Sequence, residues 1–114
     1  MADALQIERL DQGVLCLRGP LTLENVPPFQ NAVRRERAAT VIFDLSGVPY
    51  VDSSGLGSLV AAYVSCVKAG RRVALTGVNA HVLKQFHVTK VESLFLIFPT
   101  LDAALQALST AGNA

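Results

Sequence analysis

An aspartate, two serines and a glycine at residues 52–55 form the part of this chain whose residue types best suit chemistry. The segment follows the apolar run at residues 41–45, which predicts a buried strand, and it precedes a stretch with helical periodicity. In open α/β sheets, sites form at the carboxyl ends of strands, and a helix start offers free N–H groups to anions. A carboxylate and two hydroxyl groups at this junction therefore define the candidate site.

Nucleophilic catalysis by Ser53 or Ser54 would require a base within hydrogen-bond reach and a third group that orients the base. The candidate bases are His81 and His87, and the sequence does not place either of them beside the serines. The Gly-x-Ser-x-Gly elbow of hydrolases is absent, and no set of His, Cys and carboxylate residues has metal-ligand spacing. The sequence therefore predicts no catalytic residues and no metal site.

Capping and phosphate binding are the two remaining explanations of the segment. Asp52 or Ser53 could be the N-cap of the following helix, because Asp and Ser are preferred there. Gly55 and Gly57 leave the first turn without side chains at these positions, so the helix start could also hold a phosphoryl group, either covalently attached or carried by a nucleotide. The segment matches neither the P-loop nor the dinucleotide fingerprint. The two explanations are compatible, because an exposed cap hydroxyl can accept a phosphate.

The sequence Val-Asp-Ser-Ser-Gly-Leu-Gly-Ser-Leu at residues 51–59 resembles the signature of the STAS domain, the fold of bacterial anti-sigma factor antagonists. The resemblance extends through nearly the whole chain, from Leu5 to Leu108. It implies an α/β fold, with a mixed, mainly parallel sheet of about five strands and about four helices, in a single domain over residues 1–114. It also implies phosphorylation of the hydroxyl that follows the aspartate. Here that residue is Ser53, with a supporting role for Asp52, Ser54 and Gly55.

The function that the resemblance implies is regulatory binding and not catalysis. The unphosphorylated form would bind an anti-sigma factor that is also a serine kinase, and phosphorylation of Ser53 would end this interaction. A separate phosphatase would restore it. ATP and Mg²⁺ would belong to the kinase, so no cofactor is expected in this chain. Two other functions stay open: a cytosolic STAS subunit of a membrane complex that transports lipids or anions, and a small-molecule sensor.

Two residues depart from the family pattern. Thr22 follows Gly-Pro-Leu at a position where many antagonists have an acidic residue. Because this region lies near the phosphorylated loop in the family fold, Thr22 is a candidate partner-binding residue. Lys90 stands where the family often has glycine after the third helix, which predicts an altered turn.

Hydrophobic periodicity predicts the elements that must position the site. Residues 5–8 and 14–18 alternate apolar and polar side chains around a turn at residues 11–13, which indicates a hairpin. Further strands are predicted over residues 41–45, 72–76 and 94–98. Helical patterns separate them, so this part of the sheet should be parallel with right-handed crossovers. The predicted helix caps, besides the candidate site, are Asn25, Asn79 and Thr100.

The same periodicity predicts which side of each helix faces the core. These inward residues are Val26, Phe29 and Val33 in the first helix, Val82, Leu83 and Phe86 in the third, and Leu101, Ala104, Leu105 and Leu108 in the last. The second helix, over residues 54–69, is unusual because its outward face is small and nearly neutral, whereas a surface helix normally has a strongly polar face. Either another helix of the domain covers this face, or it is a docking surface for a partner protein. The candidate partner-binding residues on it are Gly57, Ser58, Ala61, Ala62 and Ser65.

Composition indicates one globular domain, since 51% of the 114 residues are hydrophobic and 17% are charged. A net charge of +1 provides no field that would attract nucleic acid or an anionic membrane. The longest uncharged stretch, residues 53–67, falls short of the ~20 apolar residues of a membrane span, and the N-terminal sequence shows no signal-peptide pattern. A soluble, cytoplasmic protein is therefore predicted.

Cys16 and Cys66 are expected to be buried small hydrophobes. The charged cluster at residues 34–37 is expected to be a solvated helix end.

Overall fold

The computed structural model describes residues 4–10 and 13–112, which form five β-strands and four α-helices. The strands are β1 (Gln6–Leu10), β2 (Val14–Arg18), β3 (Thr40–Gly47), β4 (Arg72–Thr76) and β5 (Ile97–Phe98). The helices are α1 (Val26–Arg35), α2 (Ser53–Lys68), α3 (Ala80–Val88) and α4 (Leu101–Gly112). Short 3₁₀ turns precede α1 (Leu23–Asn25) and β5 (Glu92–Leu94).

The sheet has the strand order β1-β2-β3-β4-β5, with β3 at its centre. β1 pairs with β2 in antiparallel orientation, and the remaining neighbours are parallel. The predicted mixed, mainly parallel sheet and its opening hairpin are therefore confirmed. Asp11 and Gln12 of the predicted turn lie outside the described residues. Since β2 to β5 are parallel, their carboxyl ends share one edge of the sheet, and α2 begins at that edge.

The helices cover the two faces of the sheet unequally. The larger core lies on the side of α1, α2 and α3, and its fully buried side chains include Phe29, Phe43, Leu59, Leu75 and Phe86. A smaller core lies beneath α4, where Ala104 and Leu108 pack on Val14, Cys16, Ile42 and Ala74. Cys16 and Cys66 are both free and buried, one in each core, which confirms the prediction for them.

Besides α2, three helix starts were predicted from a polar residue, and the side chain caps two of them. The Asn79 side chain accepts a hydrogen bond from the N–H of Val82 at 2.8 Å, and Thr100 Oγ1 accepts one from Ala103 at 3.1 Å. Asn25 holds the cap position of α1 but makes no side-chain capping bond there. The reason is that a cap bonds the N–H of the second or third helical residue, and both are prolines, residues 27 and 28. The Asn25 amide instead donates to the carbonyl of Pro20 at 2.7 Å.

The predicted fifth strand was too long at its start. Residues 94–98 were expected to be extended, but Leu94 ends a 3₁₀ turn and β5 contains only Ile97 and Phe98 among the described residues. Phe95 turns into the core, where its ring lies 5.0 Å from the rings of Tyr63 and Phe86. The N–H of Leu96 then donates to the Tyr63 hydroxyl at 2.8 Å. Aromatic packing therefore fixes Phe95, and backbone bonding to β4 begins at the next residue, where the Leu96 carbonyl accepts a hydrogen bond from the N–H of Leu75 at 2.8 Å.

Away from the candidate site, three predicted side-chain environments were wrong. Leu83 and Leu105 were expected to face the core but are exposed, because α3 contacts the core through Val82 and Phe86, and α4 through Ala104 and Leu108.

Glu36, expected in a solvated helix end, is only 2% exposed. Burial alone would raise the pKa of Glu36, but hydrogen bonds from Arg9 and from two backbone N–H groups hold it below its usual value.

Lys90, in the turn after α3, is the non-glycine residue with a positive φ, 62°, among those described. Glycine adopts this conformation without strain, so the altered turn that the sequence suggested stays a prediction. The left-handed region costs a non-glycine residue about 1–2 kcal/mol. Lys90→Gly should therefore raise the free energy of unfolding by about 0.5–1 kcal/mol, after allowance for the greater freedom of glycine in the unfolded chain. Urea denaturation measures this difference. Lys84→Gly, in the regular helix α3, is the matched control and should lower stability by about 1 kcal/mol; a loss in both variants would contradict the prediction.

Candidate functional site at the start of helix α2

The site lies where β3 passes into α2, at the edge that holds the carboxyl ends of the parallel strands. After β3 the chain turns at Val48, whose N–H donates to the carbonyl of Leu45 at 2.9 Å. Tyr50 is exposed, whereas Val51 is buried and forms a parallel bridge with Leu21. This bridge attaches the loop before α2 to the loop after β2, so the two loops form one surface.

Asp52 fixes the start of α2 through both oxygens of its carboxylate. Oδ1 accepts a hydrogen bond from the N–H of Gly55 at 2.7 Å, which caps the helix and shows that Asp52, not Ser53, is the N-cap. Oδ2 accepts a hydrogen bond from the N–H of Leu23 at 3.0 Å, across 29 residues of sequence. The backbone N–H of Asp52 also donates to the carbonyl of Leu21 at 3.2 Å. One residue therefore caps the helix and joins it to the neighbouring loop.

Gly55 marks the closest approach between α2 and the loop after β2. A Cβ atom at this position would overlap the carbonyl oxygen of Leu21 and lie 2.5 Å from its carbonyl carbon. A Cβ atom at Gly57 would meet nothing within 4 Å. Gly55 is thus required for the two backbones to touch, whereas packing within the domain does not require Gly57.

The two serines differ in their exposure. Ser53, the first residue of α2, is exposed, and Ser54 is partly buried. Ser53 follows directly on Asp52, whose carboxylate is held in place by two backbone N–H groups. A modifying enzyme would therefore reach the Ser53 hydroxyl more easily, and phosphorylation at this position stays a prediction.

The predicted outward face of α2 was correct for some residues and wrong for others. Gly57, Ala61 and Ser65 are exposed, as expected. Ser58 and Ala62 are buried, with 8% and 9% exposure, because α1 packs against this side of α2. The Ser58 hydroxyl donates to the carbonyl of Gly55 at 2.7 Å, and Ala62 belongs to the larger core. These two residues are removed from the candidate docking surface.

Thr22 lies at the site, as the sequence analysis predicted. It is partly buried, and its carbonyl accepts a hydrogen bond from the N–H of Asn25 at 2.8 Å. The next residue, Leu23, is the one that bonds Asp52, and its side chain is 65% exposed. Sequence reasoning missed Leu23 and Tyr50, two exposed apolar side chains in the loops that meet at Asp52. The same loops contain the buried residues Leu21, Val48 and Val51, so residue type alone could not separate the exposed side chains from the buried ones.

No hydrogen bond joins His81 or His87 to Ser53 or Ser54 among the described residues. His81 borders the same groove as Ser53, whereas His87 Nδ1 lies 3.1 Å from the carboxylate of Glu92. The described residues contain no group of three or more His, Cys, Asp or Glu side chains that could hold a metal ion. Within residues 4–10 and 13–112, no helix has both the length and the apolar character that crossing a membrane requires.

The family model of the STAS domain matches residues 2–104 of this chain. The chain belongs to the STAS domain family. The family predicted from residues 51–59 is thereby confirmed, and the five-stranded α/β fold of the described residues agrees with it.

Three proteins are similar to this chain in sequence or in structure. The anti-sigma F factor antagonist of Paenibacillus polymyxa is 27% identical over 81 residues, which are 71% of this chain and 67% of that protein. The crystal structure of an anti-sigma factor antagonist from Mycobacterium paratuberculosis is 25% identical with a TM-score of 0.77, covering 90% of this chain and 91% of that one. A sulfate transporter family protein from Wolinella succinogenes shares the fold, with a TM-score of 0.81, 18% identity and coverage of 96% and 93%.

The electrostatics of Asp52 make the stability of this STAS domain depend on pH. The N–H groups of Gly55 and Leu23 hold the pKa of Asp52 below its usual value, because they bond the charged form. The ionised Asp52 side chain therefore contributes to the free energy of unfolding. This contribution is complete above the unfolded-state pKa of about 3.9, and it is lost as the pH falls through the lower folded-state pKa.

Asp52→Asn should lower the free energy of unfolding at pH 7 by about 1–2 kcal/mol. The amide oxygen can still cap Gly55, but the amide nitrogen cannot accept the hydrogen bond from Leu23. Urea denaturation across about pH 7 to pH 2 should show the difference from the unmodified chain narrowing at the acid end. Asp102→Asn on the exposed side of α4 controls for the loss of a charge. A difference that stays constant with pH would contradict this assignment.

Proposed function

We propose that this STAS domain is an anti-sigma factor antagonist that acts by partner switching. The observation that carries the proposal is the exposed Ser53, placed directly after Asp52 at the start of a helix that Asp52 caps and joins to the neighbouring loop. The Paenibacillus polymyxa relative, an anti-sigma F factor antagonist, supports this role. The unphosphorylated domain would bind an anti-sigma factor that is also a serine kinase, and this binding would release a sigma factor.

The surface around Ser53 suits a protein partner. We define the docking face as the exposed side of α2 together with residues of the two loops beside its start, namely Thr22, Leu23, Tyr50, Gly57, Ala61 and Ser65. The exposed side chains of Leu23 and Tyr50 supply apolar area, and aromatic residues are enriched at protein interfaces. Gly57, Ala61 and Ser65 lie along the exposed side of α2 and carry no large side chain. They would let a partner approach the helix backbone closely.

Phosphorylation of Ser53 would end the interaction by placing charge in this surface. A phosphoserine adds about −1.5 to −2 charges at neutral pH. Asp52 stands next to it and is held by the N–H groups of Gly55 and Leu23, so its carboxylate is not free to turn away. The kinase would supply ATP and Mg²⁺, and a phosphatase would remove the phosphate. In this proposal the domain acts in the cytoplasm, without catalysis and without nucleic acid.

The decisive experiment is incubation with the cognate kinase, ATP and Mg²⁺, followed by mass-spectrometric mapping of the phosphate. The unmodified chain and Ser54→Ala should each carry one phosphate on Ser53, and Ser53→Ala should carry none. Phosphate on Ser54 would refute the site. If no residue is phosphorylated and the domain instead co-purifies with a membrane ATPase complex, it is a subunit of a transporter.

Ala61→Arg tests the docking face directly. Ala61 is exposed, so arginine should change the melting temperature little while weakening partner binding about tenfold or more, because it adds bulk and charge at a close contact. Ala62→Arg should instead destabilise the fold, since Ala62 is buried in the core. Leu105→Arg on α4, away from the docking face, controls for an added charge. Unchanged affinity in Ala61→Arg would exclude this part of α2 from the interface.

A further inference from the structure

Two consecutive peptide units lead from Tyr50 to Asp52, and each of them is held from both sides. On one side, Leu21 donates its N–H to the Tyr50 carbonyl at 3.1 Å and its carbonyl accepts a hydrogen bond from the Asp52 N–H at 3.2 Å. On the other side, the side-chain amide of Gln85 in α3 donates to the Val51 carbonyl at 2.7 Å. The oxygen of the same amide accepts a longer hydrogen bond from the Val51 N–H, at 3.5 Å. Gln85 therefore takes the place that a neighbouring strand would have beside Val51.

Helix α3 is a fixed support for this contact. The buried side chains of Val82 and Phe86 pack it into the larger core. A second amide of this helix, that of its N-cap Asn79, donates to the carbonyls of Val48 and Pro49 at 3.0 and 3.3 Å. Polar side chains of α3 thus hold the loop before α2 at its beginning and at its end.

The Val51 backbone depends on this amide because the residue is buried. Buried backbone N–H and C=O groups need a partner within the fold or an ordered water. Without the Gln85 amide, both groups would have to turn toward water, and the peptide unit between Val51 and Asp52 would turn with them. Ser53 follows this unit directly, so its position depends on how the unit is oriented.

We infer that Gln85 is a positioning residue for Ser53, and this inference rests on the proposed function, in which Ser53 is the phosphoacceptor. By holding the peptide unit before Asp52, Gln85 presents Ser53 to the kinase in one arrangement. The kinase then does not have to order the loop on docking, which would weaken its binding. Gln85 also lines a groove between α2 and α3 beside Ser53, so direct contact between Gln85 and the kinase is the alternative that the test must separate.

Gln85→Met tests the inference, because methionine has a similar length and helix propensity but cannot donate to the Val51 carbonyl. Steady-state phosphorylation by the cognate kinase should show the KM for this chain raised about three- to tenfold, the range for one lost hydrogen bond. The kcat should change little, because the docked loop is the same in both proteins. Amide hydrogen exchange, measured without the kinase, should become about tenfold faster or more at Asp52 and stay unchanged within β3.

Leu108→Ala is the control for a general loss of stability. Leu108 is buried in the smaller core beneath α4, on the other side of the sheet. This variant should lower the melting temperature at least as much as Gln85→Met does, but it should leave the KM unchanged. A raised KM in Leu108→Ala would show that stability, and not the position of the loop, sets the KM, and it would overturn the inference.

The exchange rates and the kinetics together decide between the alternatives. A raised KM in Gln85→Met without faster exchange at Asp52 would mean that Gln85 contacts the kinase directly, and the inference fails. Faster exchange with an unchanged KM would also overturn it, because the loop would then not limit docking. If the unmodified chain is not phosphorylated, the proposed function fails, and the exchange rates still show whether Gln85 holds the loop.

Discussion

Replacing Gly55 with alanine should destabilise this STAS domain by about 3 kcal/mol or more, at the upper end of the cost of overpacking. The added methyl group would overlap the carbonyl oxygen of Leu21, which is a backbone atom and has no rotamer that moves it away. Relief requires α2 to separate from the loop after β2. That separation would stretch the hydrogen bonds from Asp52 to Leu21 and from Leu23 to Asp52. Domains of this size are stable by about 5–15 kcal/mol, so the loss is a large share of the total.

Gly57→Ala is the matched control, on the same helix two residues further along. A methyl group at Gly57 meets nothing within 4 Å, so helix propensity decides the effect. Alanine is favoured over glycine there by about 0.5–1 kcal/mol, and this variant should be more stable. Urea denaturation of both proteins gives the comparison. Equal stability of the Gly55 and Gly57 variants would mean that the contact between α2 and the loop contributes little.

Phosphorylation of Ser53 should weaken partner binding about a hundredfold or more while changing the fold little. The helix start stabilises the phosphate locally and Asp52 opposes it, so these effects on stability partly cancel. At the interface, docking would remove water from a nearly dianionic group beside a fixed carboxylate, and burying an unpaired ion costs several kcal/mol. Since each ~1.4 kcal/mol is a tenfold change in affinity, a penalty of several kcal/mol corresponds to a loss of about a hundredfold or more.

Variants of the two serines test whether a negative charge at Ser53, and not the loss of its hydroxyl group, weakens partner binding. Ser53→Ala should bind the partner persistently, and Ser53→Asp should bind poorly although it carries less charge than phosphate. Ser54→Ala should respond to the kinase as the unmodified chain does. Affinity and melting temperature should be measured on the same preparation. If Ser53→Asp binds as tightly as Ser53→Ala, charge at this position does not control docking.

The order of elements was predictable because local patterns determine it. The apolar residues 14–17 are buried on both faces of the sheet and do not show the predicted alternation, but they still mark a strand. This run, the apolar run before Ser46 and the caps at Asp52, Asn79 and Thr100 each depend on neighbours in sequence. The failures depend on partners far away in the chain. β5 is short because Phe95 packs on Tyr63 and Phe86, and no local pattern encodes that contact.

The sequence identified residues of the candidate site but not the contacts that join them to the rest of the fold. The motif identified Asp52, Ser53 and Gly55, yet the Leu23 contact spans 29 residues and becomes visible only in the folded chain. The outward face of α2 was misjudged because alanine and serine fit both surface and core. The packing of α1 decides that Ala62 is covered and Ala61 is not.

One cysteine is buried in the core on each side of the sheet, so alkylation of each thiol can report local unfolding of its own side. Burial, and then the neighbouring Asp44 carboxylate, raise the pKa of the Cys16 thiol, so little reactive thiolate forms while α4 stays in place. Cys66 is shielded within the opposite layer. Alkylation of Cys16 therefore measures how often α4 detaches, and alkylation of Cys66 measures opening on the side of α1, α2 and α3. Their rates, each divided by the rate of the same thiol in the unfolded chain, show which side of the sheet opens more readily.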